Sequence, residues 1–166
     1  MVALLRPRSN GEVHIASADP EDPPLIDPAF LSDPGDFEPL LKGVEFARNL
    51  LGAPSFQALD STELLPGSNV RDRAALEDFV REHCVTVHHP VGTCRMGPDS
   101  ASVTDPSLQV RAVEGLRVVD ASVMPSIIGG NTAAPVIMIA EKASDLILKK
   151  SPLPAAHLRS APIQGE

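Results

Sequence analysis

From Asp36 to Leu51 the apolar residues Phe37, Leu40, Leu41, Val44, Ala47, Leu50 and Leu51 recur at spacings of three and four. That spacing lines one face of a helix, and Gly52 supplies its stop. A second helix is predicted from Arg73 to His83, with Asp72 as N-cap and Leu76, Phe79 and Val80 turned inward. A third is predicted from about Pro135 to Lys149. Its first half is apolar all round, the pattern of a helix buried on every side, and Lys149 and Lys150 suit the negative end of its dipole. Two short strand-like segments, Val2–Leu5 and Glu12–Ala16, flank Pro7-Arg8-Ser9-Asn10-Gly11, whose Asn-Gly step predicts a hairpin turn. Leu116–Val119 reads as a buried strand ending at Asp120. Asp19-Pro20 through Asp27-Pro28 is an extended, acidic, proline-rich connection that the prolines keep from being helical. The expected fold class is therefore α+β, with a few antiparallel strands carrying the helices at about 36–51 and 73–83 on one face and the last helix standing apart.

Composition narrows the functions this chain can have. Hydrophobic residues make up 43% and charged residues 22% of 166, ordinary values for a globular chain of one-domain size. Residues 1–150 are expected to form that domain, and the proline-rich stretch 151–166 to be a disordered tail. The formal net charge of −8 and the absence of any basic run argue against a nucleic-acid partner or a polybasic membrane patch. Trp and Tyr are absent, which argues against an aromatic stacking platform. The apolar run from Ala133 to Ala140 is much too short to span a bilayer. Met1 to Arg8 lacks the order of a signal peptide, so the expected localisation is cytoplasmic. Cys84 and Cys94 are read as reduced thiols.

The candidate chemistry is concentrated in His88-His89-Pro90-Val91-Gly92-Thr93-Cys94-Arg95-Met96-Gly97. His83, Cys84, His88, His89 and Cys94 are all metal-ligand types, but structural zinc sites use spaced pairs that converge tetrahedrally. His83 and Cys84 are instead neighbours at a helix end, so no metal site is expected. A structural reading puts His88 and His89 on opposite faces of a strand. Cys94 suits a small buried filler, and Arg95 suits a brace to a carboxylate across the turn. Downstream, Asn131 precedes a helix entrance whose free N–H groups favour anions or ligand oxygens. A histidine base and an amide donor meeting at one oxygen would suit proton abstraction from an alcohol. Spacing alone does not bring them together.

Three ordered motifs carry a resemblance. HHPVGTCRMG is followed by Gly115-Leu116-Arg117-Val118-Val119-Asp120-Ala121-Ser122-Val123-Met124-Pro125. Gly130-Asn131-Thr132-Ala133-Ala134-Pro135 then follows, with Ile139-Ala140-Glu141-Lys142-Ala143. In this order they resemble the C-terminal region of the glucose–methanol–choline (GMC) oxidoreductases, over about residues 2 to 150. The resemblance implies FAD as cofactor and a small-molecule alcohol as substrate. His89 matches the family's catalytic histidine, which takes the hydroxyl proton while hydride passes to the flavin. Asn131 matches a second active-site position, where an amide holds the substrate oxygen. The Asp120-Ala121 turn and the backbone of Asn131, Thr132 and Ala133 match segments that touch FAD. His88 has two readings, a solvated strand residue or a polar group at the flavin edge. Family members often have a second polar residue two positions after Asn131; here Ala133 leaves only its backbone N–H.

A flavoenzyme of this kind needs a strand–Gly-x-Gly-x-x-Gly–helix unit for the FAD pyrophosphate, and none occurs in these 166 residues. The chain therefore resembles the C-terminal catalytic portion alone, truncated or split from an FAD-binding domain that would be its partner. By itself it is expected to be inactive. The apolar turn from Val136 to Ala140 would then lack something to bury against, which predicts a partner chain or poor solubility. A non-catalytic remnant and a small metal-binding module are the alternative classes.

Overall fold

A computed structural model of the chain describes residues 1–59, 62–151 and 154. Two small hydrophobic cores organise them. The first lies between two helices, α1 (Phe37–Leu51) and α3 (Arg73–His83), with the single turn α2 (Pro54–Gln57) between them. Phe37, Leu41, Leu76 and Val80 are its buried centre, ringed by Leu31, Leu40, Val44, Val70 and Phe79. The predicted apolar faces are therefore the buried ones, except that Leu50 and Leu51 at the end of α1 stay exposed. Asp72 caps α3 as expected, its carboxylate accepting from Ala74 N at 3.2 Å and Ala75 N at 2.9 Å. The Arg81 guanidinium lies 4.3 Å from the Phe37 ring centroid, in cation–π range.

The strands are fewer and paired differently from the expectation. β1 (Glu12–His14) pairs antiparallel with β2 (Leu25–Asp27), in the register Glu12 opposite Asp27 and His14 opposite Leu25. All six residues are exposed, so this ribbon carries no helix on a face. The helices pack on each other instead. Asn10-Gly11 is not the hairpin turn, because Val2–Leu5 is drawn elsewhere: Val2 seats against Gly43 of α1. Arg8 N (2.8 Å) and Ser9 N (3.0 Å) donate to the buried Asp36 carboxylate, as does Ser9 Oγ (2.6 Å). Burial pushes the Asp36 pKa up, but these bonds and the Arg8 charge outweigh it and hold it below the ordinary value of 3.8. Gly11 serves close approach: a Cβ there would sit 2.1 Å from the Asp27 carbonyl oxygen.

The second core positions the candidate site. Leu108, Val123, Met124, Ile139 and Ala143 are buried together, with Val91, Met96, Val118, Val119, Ala121 and Val136 packed around them. Leu116–Val119 supplies Val118 and Val119 to this core but is not a strand; its one ladder contact is an isolated bridge from Arg117 to Gln109. Val110 N donates to Leu116 O (2.9 Å) and Val118 N to Leu108 O (3.2 Å). Leu108 at φ 64° and the turn from 111 to 115 break the ladder on either side of that bridge. α4 (Ala133–Ile147) begins two residues earlier than predicted and buries Ile139 and Ala143. It is not buried on every side: Ile137 is 63% and Met138 59% exposed. Among the described residues no helix is long and apolar enough to cross a membrane. The expected disorder of 151–166 falls, apart from residues 151 and 154, outside the described residues.

Candidate active site

α3 ends at His83, whose ring stacks on Phe79 and whose Nδ1 lies 3.0 Å from the Phe79 carbonyl oxygen. The chain then runs irregularly through the histidine pair, not as the strand that would have put them on opposite faces. His88 sits in the left-handed region at φ 62°, its N–H held by Thr86 Oγ1 at 3.0 Å. Such a conformation is uncommon for a residue with a side chain. It reverses the chain so that His88 is exposed and His89 half-buried. Pro90 disfavours a helical backbone at His89. Gly92 at φ 94° makes a second reversal that glycine accommodates most readily.

From Gly92 the loop is laced to the turn after Asp120. Cys94 N donates to Ser122 O at 3.0 Å and Met96 N to Val123 O at 2.8 Å. That turn is a 3-10 helix, Ala121–Val123, capped by Asp120, whose Oδ1 accepts from Ser122 N at 2.7 Å and from Ser122 Oγ. One Asp120 oxygen is thus committed to its own turn, and Ala121 packs on the core. Arg95 and Asp99 form a two-bond ion pair (2.9 and 3.1 Å), the brace expected of Arg95. Arg95's hydrogen bonds hold the Asp99 carboxyl down to about 2. Cys94 and Cys84 are free, half-buried thiols.

The decisive contact crosses from this loop to the head of α4. His89 Nδ1 lies 2.9 Å from Thr132 Oγ1. Asn131 and Ala133, on either side of the buried Thr132, are exposed. The histidine loop, the Asp120 turn and the helix entrance therefore form one hydrogen-bonded unit over one core. Among the described residues no hydrogen bond joins His88 or Asn131 to His89, and no group of three His, Cys, Asp or Glu side chains is arranged to hold a metal ion. The resemblance implied for Thr132 only a backbone contact to FAD, and nothing in the sequence signalled its bond to His89. Nor did it signal Arg6, whose guanidinium lies against Gly129, 3.2 Å from where a Cβ would stand. No local pattern signals contacts that span so much chain.

The model of the GMC oxidoreductase family, in its C-terminal region, matches residues 7–140. The chain belongs to the GMC oxidoreductases. It is 47% identical over 146 residues to an alcohol dehydrogenase [acceptor] of Pseudomonas putida, covering 88% of this chain and 26% of that protein. It is 39% identical over 166 residues to an oxygen-dependent choline dehydrogenase of Pseudomonas aeruginosa, covering 97% of this chain and 30% of the relative. Among solved structures, an Aspergillus oryzae formate oxidase variant studied for FAD modification superposes with a TM-score of 0.82 at 32% identity, over 88% of this chain and 26% of that one. The chain thus spans less than a third of the relatives it matches. At the head of α4, Ala133 and Ala134 are exposed methyl side chains, and the Thr132 side chain caps no N–H of the first turn. Backbone donors there stay available to ligand oxygens.

Proposed function

We propose that this chain is the catalytic C-terminal portion of an FAD-dependent oxidoreductase acting on the CH–OH group of small alcohols, with residues 1–150 as its folded unit. The observation that carries the reading is the hydrogen-bonded unit that ties half-buried His89 to the helix entrance bearing Asn131. FAD, were it bound, would supply the acceptor for the hydride. His89 takes the hydroxyl proton, because hydride leaves an alkoxide far more readily than a neutral alcohol. An imidazole has a ring nitrogen that can accept a proton where a neutral amide has none, which makes His89 the base of the pair. Asn131 cannot take that proton; its amide donates to the oxygen and steadies the charge that develops there.

The backbone from Asn131 to Ala133 and the exposed edge of the Asp120-Ala121 turn would contact the cofactor, with His88 at its rim. None of these is a pyrophosphate cradle. A separate FAD-binding part of the protein supplies that cradle and covers the outer face of α4. In the complete, FAD-loaded enzyme His89→Ala is expected to lower kcat roughly 10²–10⁴-fold, the usual worth of a positioned general base. It should also remove the rise of kcat/KM with pH. Near-normal turnover with the same pH profile would put the base elsewhere, His88 first.

A further inference from the structure

Thr132 occupies the N-cap of α4, where a threonine hydroxyl ordinarily accepts a backbone N–H of the first helical turn. Here its backbone is already helical, at φ −83° and ψ −10°, and its side chain caps nothing. The residue is only 7% exposed, and its hydroxyl lies against His89 Nδ1. Both ends of that contact are held. The Thr132 carbonyl accepts from Val136 N at 3.0 Å, and Val136 packs on the same core as Val91, two residues after His89.

A neutral imidazole carries hydrogen on one ring nitrogen, and only the bare nitrogen accepts a proton. Two arrangements satisfy a hydroxyl at Nδ1. In one, the hydroxyl donates to a bare Nδ1; hydrogen then sits on Nε2, and no base faces outward. In the other, Nδ1–H donates to the hydroxyl oxygen and Nε2 is bare. The first breaks when the ring becomes imidazolium, which has no lone pair left. The second survives, since Nδ1–H already has its acceptor. A hydroxyl oxygen keeps lone pairs for that donor wherever its own hydrogen points. We propose that Thr132 is a positioning residue: its oxygen accepts the Nδ1–H of His89 and leaves Nε2 bare to take the hydroxyl proton of the alcohol. In that step the alcohol O–H bond breaks, the Nε2–H bond forms, and the electron pair stays on the alkoxide oxygen. This rests on the reading of His89 as the base.

The ring nitrogens report the tautomer directly, so the first test needs no variant. In the 166-residue chain labelled with 15N-histidine, and with the neutral ring populated, His89 is expected to show a protonated Nδ1 and a bare Nε2; the resonance is assigned by its loss in His89→Ala. Thr132→Val, close in shape but without the hydroxyl, is expected to shift hydrogen toward Nε2, and Thr132→Ser to restore the original pattern. In the complete FAD-loaded enzyme Thr132→Val should lower kcat roughly tenfold, on the scale of one hydrogen bond. KM should change little, and Thr132→Ser should recover most of the loss. A predominantly Nε2–H tautomer in the unmodified chain overturns the proposal, as does an unchanged tautomer in folded Thr132→Val. Failure of the base reading is a separate result: His89→Ala would then turn over normally whatever the tautomer.

Discussion

The outer face of α4 gives the sharpest test of whether this chain works docked against an FAD-binding part. Ile139 is 7% exposed within the core, while Ile137, two residues away on the same helix, is 63% exposed. In the chain alone, Ile139→Ala leaves a cavity and should cost about 2–5 kcal/mol of unfolding free energy. Ile137→Ala should stay within about 0.5 kcal/mol, as exposed substitutions do. Full burial of an isoleucine side chain is worth roughly 1.5–3 kcal/mol. Nearly two-thirds of that gain is still open at Ile137, so docking should raise the cost of Ile137→Ala to about 1–2 kcal/mol. The assay is urea unfolding of each variant in both contexts, compared at constant slope. Met138, 59% exposed, provides a second probe of the same face. The same small cost for Ile137→Ala in both contexts would refute docking on this face.

Other expectations follow from the site and its braces. Purified alone, the chain should not retain FAD through gel filtration, read by flavin absorbance, because the edge contacts lack a pyrophosphate cradle; stoichiometric flavin would overturn that account. In the complete enzyme Asn131→Ala should slow hydride transfer yet keep the rise of kcat/KM with pH, since the base remains; stopped-flow reduction across pH separates the two effects. Arg95's hydrogen bonds lower Asp99 in the folded state to about 2 from 3.8. A depressed carboxylate favours the fold above its unfolded pKa and loses that contribution as pH falls through the folded one. The Arg95 brace should therefore hold above about pH 4 and fail toward pH 2, and NMR titration of the Asp99 carboxyl in the chain and in Arg95→Ala measures the window.

The two α1/α3 helices were legible because their signals are local. Apolar spacing along 37–51 and a capping aspartate one residue before Arg73 suffice, and α3 runs from Arg73 to His83 as predicted. Strand pairing was not legible, since a three-residue strand carries no mark of its partner. Glu12–His14 pairs with Leu25–Asp27 because Asp36 and Gly43 draw the segment before it onto α1. The glycine read as a turn is instead a point of close approach. The same limit applies at the site. His89 was marked by its motif, but its bond to Thr132 spans 43 positions, and the resemblance gave Thr132 only as a backbone contact to FAD.

α4 turns this limit into information. An all-round apolar pattern in a helix records every surface that packs on it, including surfaces this chain does not contain. Val136, Ile139 and Ala143 meet the core described here, whereas Ile137 and Met138 meet solvent. The pattern and the exposure agree if the outer face belongs to the proposed contact with the FAD-binding part. The head of the same helix carries Thr132 and Asn131, so docking α4 would also fix the height of His89 above whatever that part holds. Stability of the outer face and turnover at His89 should therefore be coupled, and variants that weaken docking at Ile137 or Met138 should lower kcat without touching a side chain of the site.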